Sequence, residues 1–184
     1  RPDGNPTLRD APPAANETGG NLYGLSALDE HAALFEALKA SFEAQDLPYE
    51  GVLKEAAPAQ YEINVAHSDD DVAYCDQVIR MQRCIRAVAE RFGALASFMP
   101  KPMENQAGNG MHVHCSLLDT SGDNIFDSGD TEGTPLLQQA VAGCLDLMAD
   151  TQLIFAPSYN AYRRFRAGNH APTQPNLSLI HISE

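Results

Sequence analysis

The segment Met111-His-Val-His-Cys-Ser116 places His112, His114 and Ser116 at alternate positions. In a strand, alternate residues share a face, with roughly 6–7 Å between successive members. Two imidazoles and a hydroxyl would then form a polar row opposite Met111, Val113, Cys115 and Leu117. Such a row suits a metal ion or a phosphate chain. A plain solvent face and an unrelated H-x-H metal site, as in cupin oxygenases, are the competing readings. A second pair is Glu55 with Glu62, the latter alternating with Tyr61, Ile63 and Val65. Paired carboxylates with few softer donors suit a hard cation, Mg²⁺ or Mn²⁺. Just before the histidines, Asn105-Gln-Ala-Gly108-Asn-Gly110 has glycines that would let backbone N–H groups approach a ligand. Tyr162-Arg-Arg-Phe-Arg166 supplies guanidinium groups, which pair bidentately with carboxylates and phosphates. Taken singly, an ordinary turn explains the glycine segment better, and a solvated basic cluster explains the arginines equally well.

The patterning around these residues predicts α+β architecture: antiparallel strands with helices packed on one side. Apolar residues at helical spacing predict a helix over 27–45, capped by Ser26 and ended by Leu47-Pro48. Short strands are expected at 51–55 and 61–65. Ser68 and Asp69-Asp-Asp71 open a second helix. Its apolar face reads Val72, Cys75, Val78, Ile79, Gln82, Ile85, Ala89 and Phe92, with Gly93 as the stop. Strands follow at 94–99 and 111–118, with a loop over 100–110 between them and a turn over 119–124. Thr134-Pro135 starts a third helix to about 149, after which the chain reads as loop from Pro157. Residues 1–21 read as a loop or extended arm, and no internal repeat is present.

Composition excludes several classes. The formal charge of −13 is wrong for a non-specific nucleic-acid binder. It leaves nucleotides possible, because a few local cations hold a phosphate against an acidic background. No apolar run approaches the length of a membrane span, and the first residues lack a signal-peptide pattern. Cys75, Cys84, Cys115 and Cys144 form no C-x-x-C pair and read as reduced core thiols of a cytoplasmic protein.

Read together and in order, four segments resemble the signatures of the glutamine synthetase family. They are Lys54-Glu-Ala-Ala-Pro-Ala-Gln-Tyr-Glu62-Ile-Asn64, Met99-Pro-Lys-Pro-Met103, Gly108-Asn-Gly-Met-His-Val-His114-Cys-Ser116, and Tyr162-Arg-Arg-Phe165 with Ala171-Pro172. The resemblance covers 22–174. It implies curved antiparallel strands forming a funnel backed by helices, ATP, divalent cations, a γ-glutamyl phosphate intermediate and homo-oligomeric rings. Position by position, it implies Glu55 and Glu62 on the metal nearer glutamate and His112 on the metal beside the ATP phosphates. It implies His114, Ser116 and, more weakly, Glu50 as nucleotide contacts, Gly108 in the glutamate loop and Arg164 on the glutamate carboxylate. Neutralisation by cations and arginine would let the glutamate γ-carboxylate attack the γ-phosphate of ATP, anion against anion.

The departures from the family pattern point to a particular acceptor. Where ammonia-using members carry Gly-Tyr-Glu-Ala-Pro, this chain has Gly168-Asn-His170-Ala-Pro172. His170 removes the anionic ammonium site and could act as the base for a bulkier amine. Ala107 stands where ammonia-using members commonly have Asn. Both features resemble glutamate–polyamine or glutamate–monoamine ligases, with an ammonia-using synthetase as the alternative and a non-catalytic relative as a third reading. The expectation is a partial catalytic domain over 22–176, without the family's small N-terminal β-grasp domain. The segment 177–184 reads as foreign to the family, and the fragment is expected to be inactive alone.

Overall fold

The computed structural model describes residues 24–130 and 133–165. The elements in chain order are α1 (Leu25–Glu30), α2 (Ala32–Glu43), β1 (Tyr49–Lys54), β2 (Tyr61–Val65), α3 (Asp71–Arg91), α4 (Pro135–Leu147), α5 (Gln152–Phe155) and α6 (Tyr159–Tyr162). This is α+β, as expected. The expectations for 1–21, for 177–184 and for His170 lie outside the described residues. The chain divides into two compact units. One runs to Phe98 and includes Glu104–Ala107; the other comprises Met99–Met103 and the chain from Gly108 onward.

In the first unit the core forms where α2 meets α3 over the hairpin. Leu38, Phe42, Leu47, Met81, Cys84 and Val88 are buried together, and Phe42 is 0% exposed. Tyr49, Ile63 and Val65 pack on this cluster from the strands. β1 and β2 pair antiparallel, with Lys54 opposite Tyr61 and Leu53 opposite Glu62. α3 opens as its sequence indicates: the Asp70 carboxylate accepts from the Ala73 amide at 2.9 Å. It closes on Gly93, whose φ of +68° favours a residue without a side chain.

Several expectations are corrected here. The helix predicted over 27–45 is two helices broken at His31, and its cap is Gly24, not Ser26. The predicted face of α3 is only partly buried: Val72 is 76% and Ile79 66% exposed, while Met81, Cys84, Val88 and Ala89 lie inside. The buried face is rotated from the predicted one: Met81, Cys84 and Val88, at i, i+3 and i+7, share the stripe that meets the α2 core, and Ile79 lies off it. Cys84 alone of the four cysteines is buried; Cys75, Cys115 and Cys144 are free and exposed.

The predicted strands over 94–99 and 111–118 are not formed. Alternation creates two faces, but a strand also needs a neighbour to complete its ladder. Beyond β1 and β2, the described residues show one isolated bridge, Leu118 with Asn124. The turn between those two residues is as expected, with the Asp119 carboxylate accepting from the amides of Ser121 and Asp123. α4 begins where predicted, Thr134 capping the Leu137 amide at 3.3 Å, and ends at Leu147. Two short helices, α5 and α6, follow it, the second lying where loop was expected. No described helix is long and apolar enough to cross a membrane.

Candidate functional site

On the hairpin, pairing register decides which side chains meet. Glu62 stands opposite Leu53. The Glu55 amide donates to the Gln60 carbonyl at 2.9 Å, which carries the same register one pair beyond β1. Residues 53, 55 and 62 therefore share one face, and Lys54 and Tyr61 the other. Glu55 and Glu62 become diagonal cross-strand neighbours, a spacing of roughly 7–8 Å between their backbones. Both are half-buried. Two carboxylates so placed fit a hard divalent cation lying between them. Glu50 is different: it is exposed and sits at the register shift between Tyr49 and Gly51, where a bulge re-aims the side chain.

Residues not singled out from the sequence fix the turn that carries Glu55. The Lys54 ammonium is buried and donates to the carbonyls of Glu55 and Ala57, each at 2.7 Å, with the Tyr61 ring centroid 5.6 Å away. The Gln60 side chain accepts from the Ala57 amide at 2.9 Å. Ala59 takes a φ of +53°, unusual for a residue with a Cβ, so the turn is held tightly. Sequence patterning hides this role, because a lysine at a strand end reads as a solvated charge.

In the second unit, Gly108 and Arg164 are brought together although 56 positions separate them (164 − 108). A Cβ on Gly108 would lie 2.6 Å from the Pro100 carbonyl oxygen and 2.9 Å from Arg164 Nε. A Cβ on Gly110 would lie 2.9 Å from Arg164 Nη1. The Arg164 side chain thus packs against a backbone that only glycine leaves open. Arg164 Nε is buried and has no hydrogen-bond partner among the described residues. Burial lowers the Arg164 pKa, because the charged form loses hydration. A guanidinium with a donor unpartnered among the described residues could pair with an anion, and a carboxylate matches its fork geometry.

His112, His114 and Ser116 lie on the exposed stretch over 111–118, next to each other by sequence rather than through a ladder. Met111 and Val113, expected on a buried face, are 71% and 67% exposed. Among the described residues no three His, Cys, Asp or Glu side chains gather as a metal cluster. His114 engages a further interaction and is not free.

Residues 5–180 match the family described as glutamine synthetase, catalytic domain. The chain is 36% identical over 157 residues to gamma-glutamylputrescine synthetase PuuA of Escherichia coli, covering 85% of this chain and 33% of that protein. It is 32% identical over 172 residues to a glutamine synthetase of Halobacterium salinarum, covering 92% of this chain and 36% of that protein. Among solved structures, ligand-free GmaS superposes with a TM-score of 0.74 at 26% identity, over 85% of this chain and 37% of that one. The chain therefore spans about a third of the length of the curated relatives it matches.

Proposed function

The chain belongs to the glutamine synthetase family, and from that membership we propose that the protein carrying it joins the γ-carboxyl of glutamate to an organic amine, using ATP through γ-glutamyl phosphate. The observation that carries this reading is the Arg164 guanidinium, its Nε buried and unpartnered against Gly108 and Gly110. A guanidinium with a donor left unpartnered among the described residues suits an anion, and a glutamate carboxylate is an anion that the proposed reaction must bind. Family membership sets aside the H-x-H oxygenase reading.

Each residue has a stated task. Arg164 binds and orients the glutamate carboxylate, and Gly108 lets that carboxylate approach the backbone. Glu55 and Glu62 would hold a divalent cation, Mg²⁺ or Mn²⁺, and His112 would hold a second. Cations bound there would supply charge neutralisation between the reacting anions. His114, Ser116 and Glu50 contact the nucleotide. His170 takes a proton from the incoming amine, the role that an anionic side chain serves for ammonium. The full protein is proposed to act as a homo-oligomer. The similarity to gamma-glutamylputrescine synthetase favours an organic acceptor. The similarity to a glutamine synthetase supports ammonia as the second reading.

Phosphate release by the full-length protein with ATP, Mg²⁺ and glutamate tests both. The expected result is stimulation by putrescine or a short monoamine and little by ammonium. Stimulation by ammonium alone replaces the reading with the second one. Nucleotide binding with no amine-dependent release makes the protein a non-catalytic relative.

A further inference from the structure

In the second unit, three separate segments are knitted together by two asparagine side chains. The Asn160 carboxamide brackets the Lys101 peptide: its oxygen accepts from the Lys101 amide at 2.7 Å, and its nitrogen donates to the Lys101 carbonyl at 2.9 Å. Asn109 pins the same loop from the other side. Its amide donates to the Pro100 carbonyl at 2.8 Å, and its side chain donates to the Met99 carbonyl at 2.8 Å. The Pro100 carbonyl oxygen is the atom that a Cβ on Gly108 would strike. The loop over 99–103 is thus the common base on which both the glycine segment and α6 rest.

Arg164 is the second residue after α6, its amide donating to the Ala161 carbonyl at 3.1 Å. α6 has only 4 residues, and a helix so short has no stability of its own. Its position must come from docking, and the Asn160 bracket is a two-point dock: the carboxamide matches one peptide group as another strand would. We infer that Asn160 is the positioning residue of the Arg164 subsite, fixing where the guanidinium stands over Gly108 and Gly110 without touching substrate. This rests on the glutamate-binding reading of Arg164.

The test uses the full-length protein with Asn160→Ala and measures two quantities. One is amide hydrogen exchange at Lys101, which requires no activity. Loss of the bracket is expected to speed it at least tenfold. The other is steady-state kinetics. The KM for glutamate is expected to rise roughly ten- to thirtyfold, the effect of losing two neutral hydrogen bonds, while kcat and the KM for ATP stay within about twofold. In an Arg164→Lys background, Asn160→Ala should add little, because both changes act through one group. Unchanged exchange at Lys101, or equal and additive losses in all kinetic parameters, overturns the inference. If Asn160→Ala does not fold, Asn160→Asp keeps the acceptor for the Lys101 amide and loses the donor, and should show an intermediate shift; wild-type values in that variant also overturn it. If Arg164→Lys alone leaves the glutamate KM unchanged, the glutamate-binding reading fails, whereas the exchange result still decides the dock.

Discussion

Gly108 and Arg164 constrain each other by contact, so each can be perturbed from either side. Gly108→Ala would set a methyl 2.6 Å from a backbone oxygen and 2.9 Å from Arg164 Nε, closer than carbon and these atoms tolerate. Moving the guanidinium relieves only the second contact, so the backbone of the glycine segment must shift as well. The KM for glutamate is expected to rise at least about tenfold in steady-state assays, with a loss of about 1–3 kcal/mol in stability. Arg164→Met tests the opposite term. Burial lowers the arginine pKa, so at every physiological pH the cation costs the ligand-free fold some stability. The variant is expected to melt no lower than the parent without ligand and to lose the upward Tm shift that glutamate gives the parent. A lower ligand-free melting temperature would show that packing by the side chain outweighs the burial of its charge. Arg164 and Gly108 were readable as candidates through the family resemblance of their segments, since residue type alone left a turn and a solvated basic cluster open. Asn160 was not, since its partner Lys101 lies 59 positions away and a carboxamide on a short aromatic segment has no pattern of its own.

Among the elements, β2 followed from period-2 alternation, β1 from a short strand-like run before it, and α3 from its acidic start and glycine stop. Two further alternating runs, 94–99 and 111–118, formed no ladder. Alternation states which faces a strand would have, but the neighbour that completes it lies elsewhere in the sequence, and here the described residues provide none. The break at His31 was equally hidden, because apolar spacing continues smoothly across it. Within the formed elements, Tyr49 links the hairpin to the core through its ring contact with Phe42, centroids 5.3 Å apart. Its pKa is raised above 10.0, first by burial and then by the charge of Glu36. A raised pKa means that the folded chain holds the phenol proton more tightly than the unfolded chain does. The resulting stability is complete below the unfolded value and is lost as pH climbs through it toward the folded one. Urea unfolding followed from pH 8 upward is therefore expected to weaken above about 10, and Tyr49→Phe to flatten part of that decline. An unchanged alkaline slope in Tyr49→Phe would assign the decline to other groups.

At the scale of the whole chain, much apolar surface stands open. Leu153, Ile154 and Phe155 are 72%, 75% and 77% exposed, and Tyr159 is 86% exposed. Patches of this kind mark surfaces that another part of a protein covers. That agrees with a chain spanning about a third of its curated relatives. The 184-residue segment made alone is accordingly expected to bind a hydrophobic dye and to self-associate in light scattering. A dye-silent monomer would show that this surface is self-sufficient. Openness also exposes the thiols. Cys115 is free and accessible and sits between His114 and Ser116, the two residues proposed to meet the nucleotide. A maleimide will find it without any engineered handle, and peptide mapping separates it from Cys75 and Cys144. In the full-length protein its labelling rate then becomes a built-in occupancy gauge: ATP should slow alkylation at Cys115 while leaving the other two exposed cysteines unchanged, so the site can be watched filling even in variants that turn nothing over.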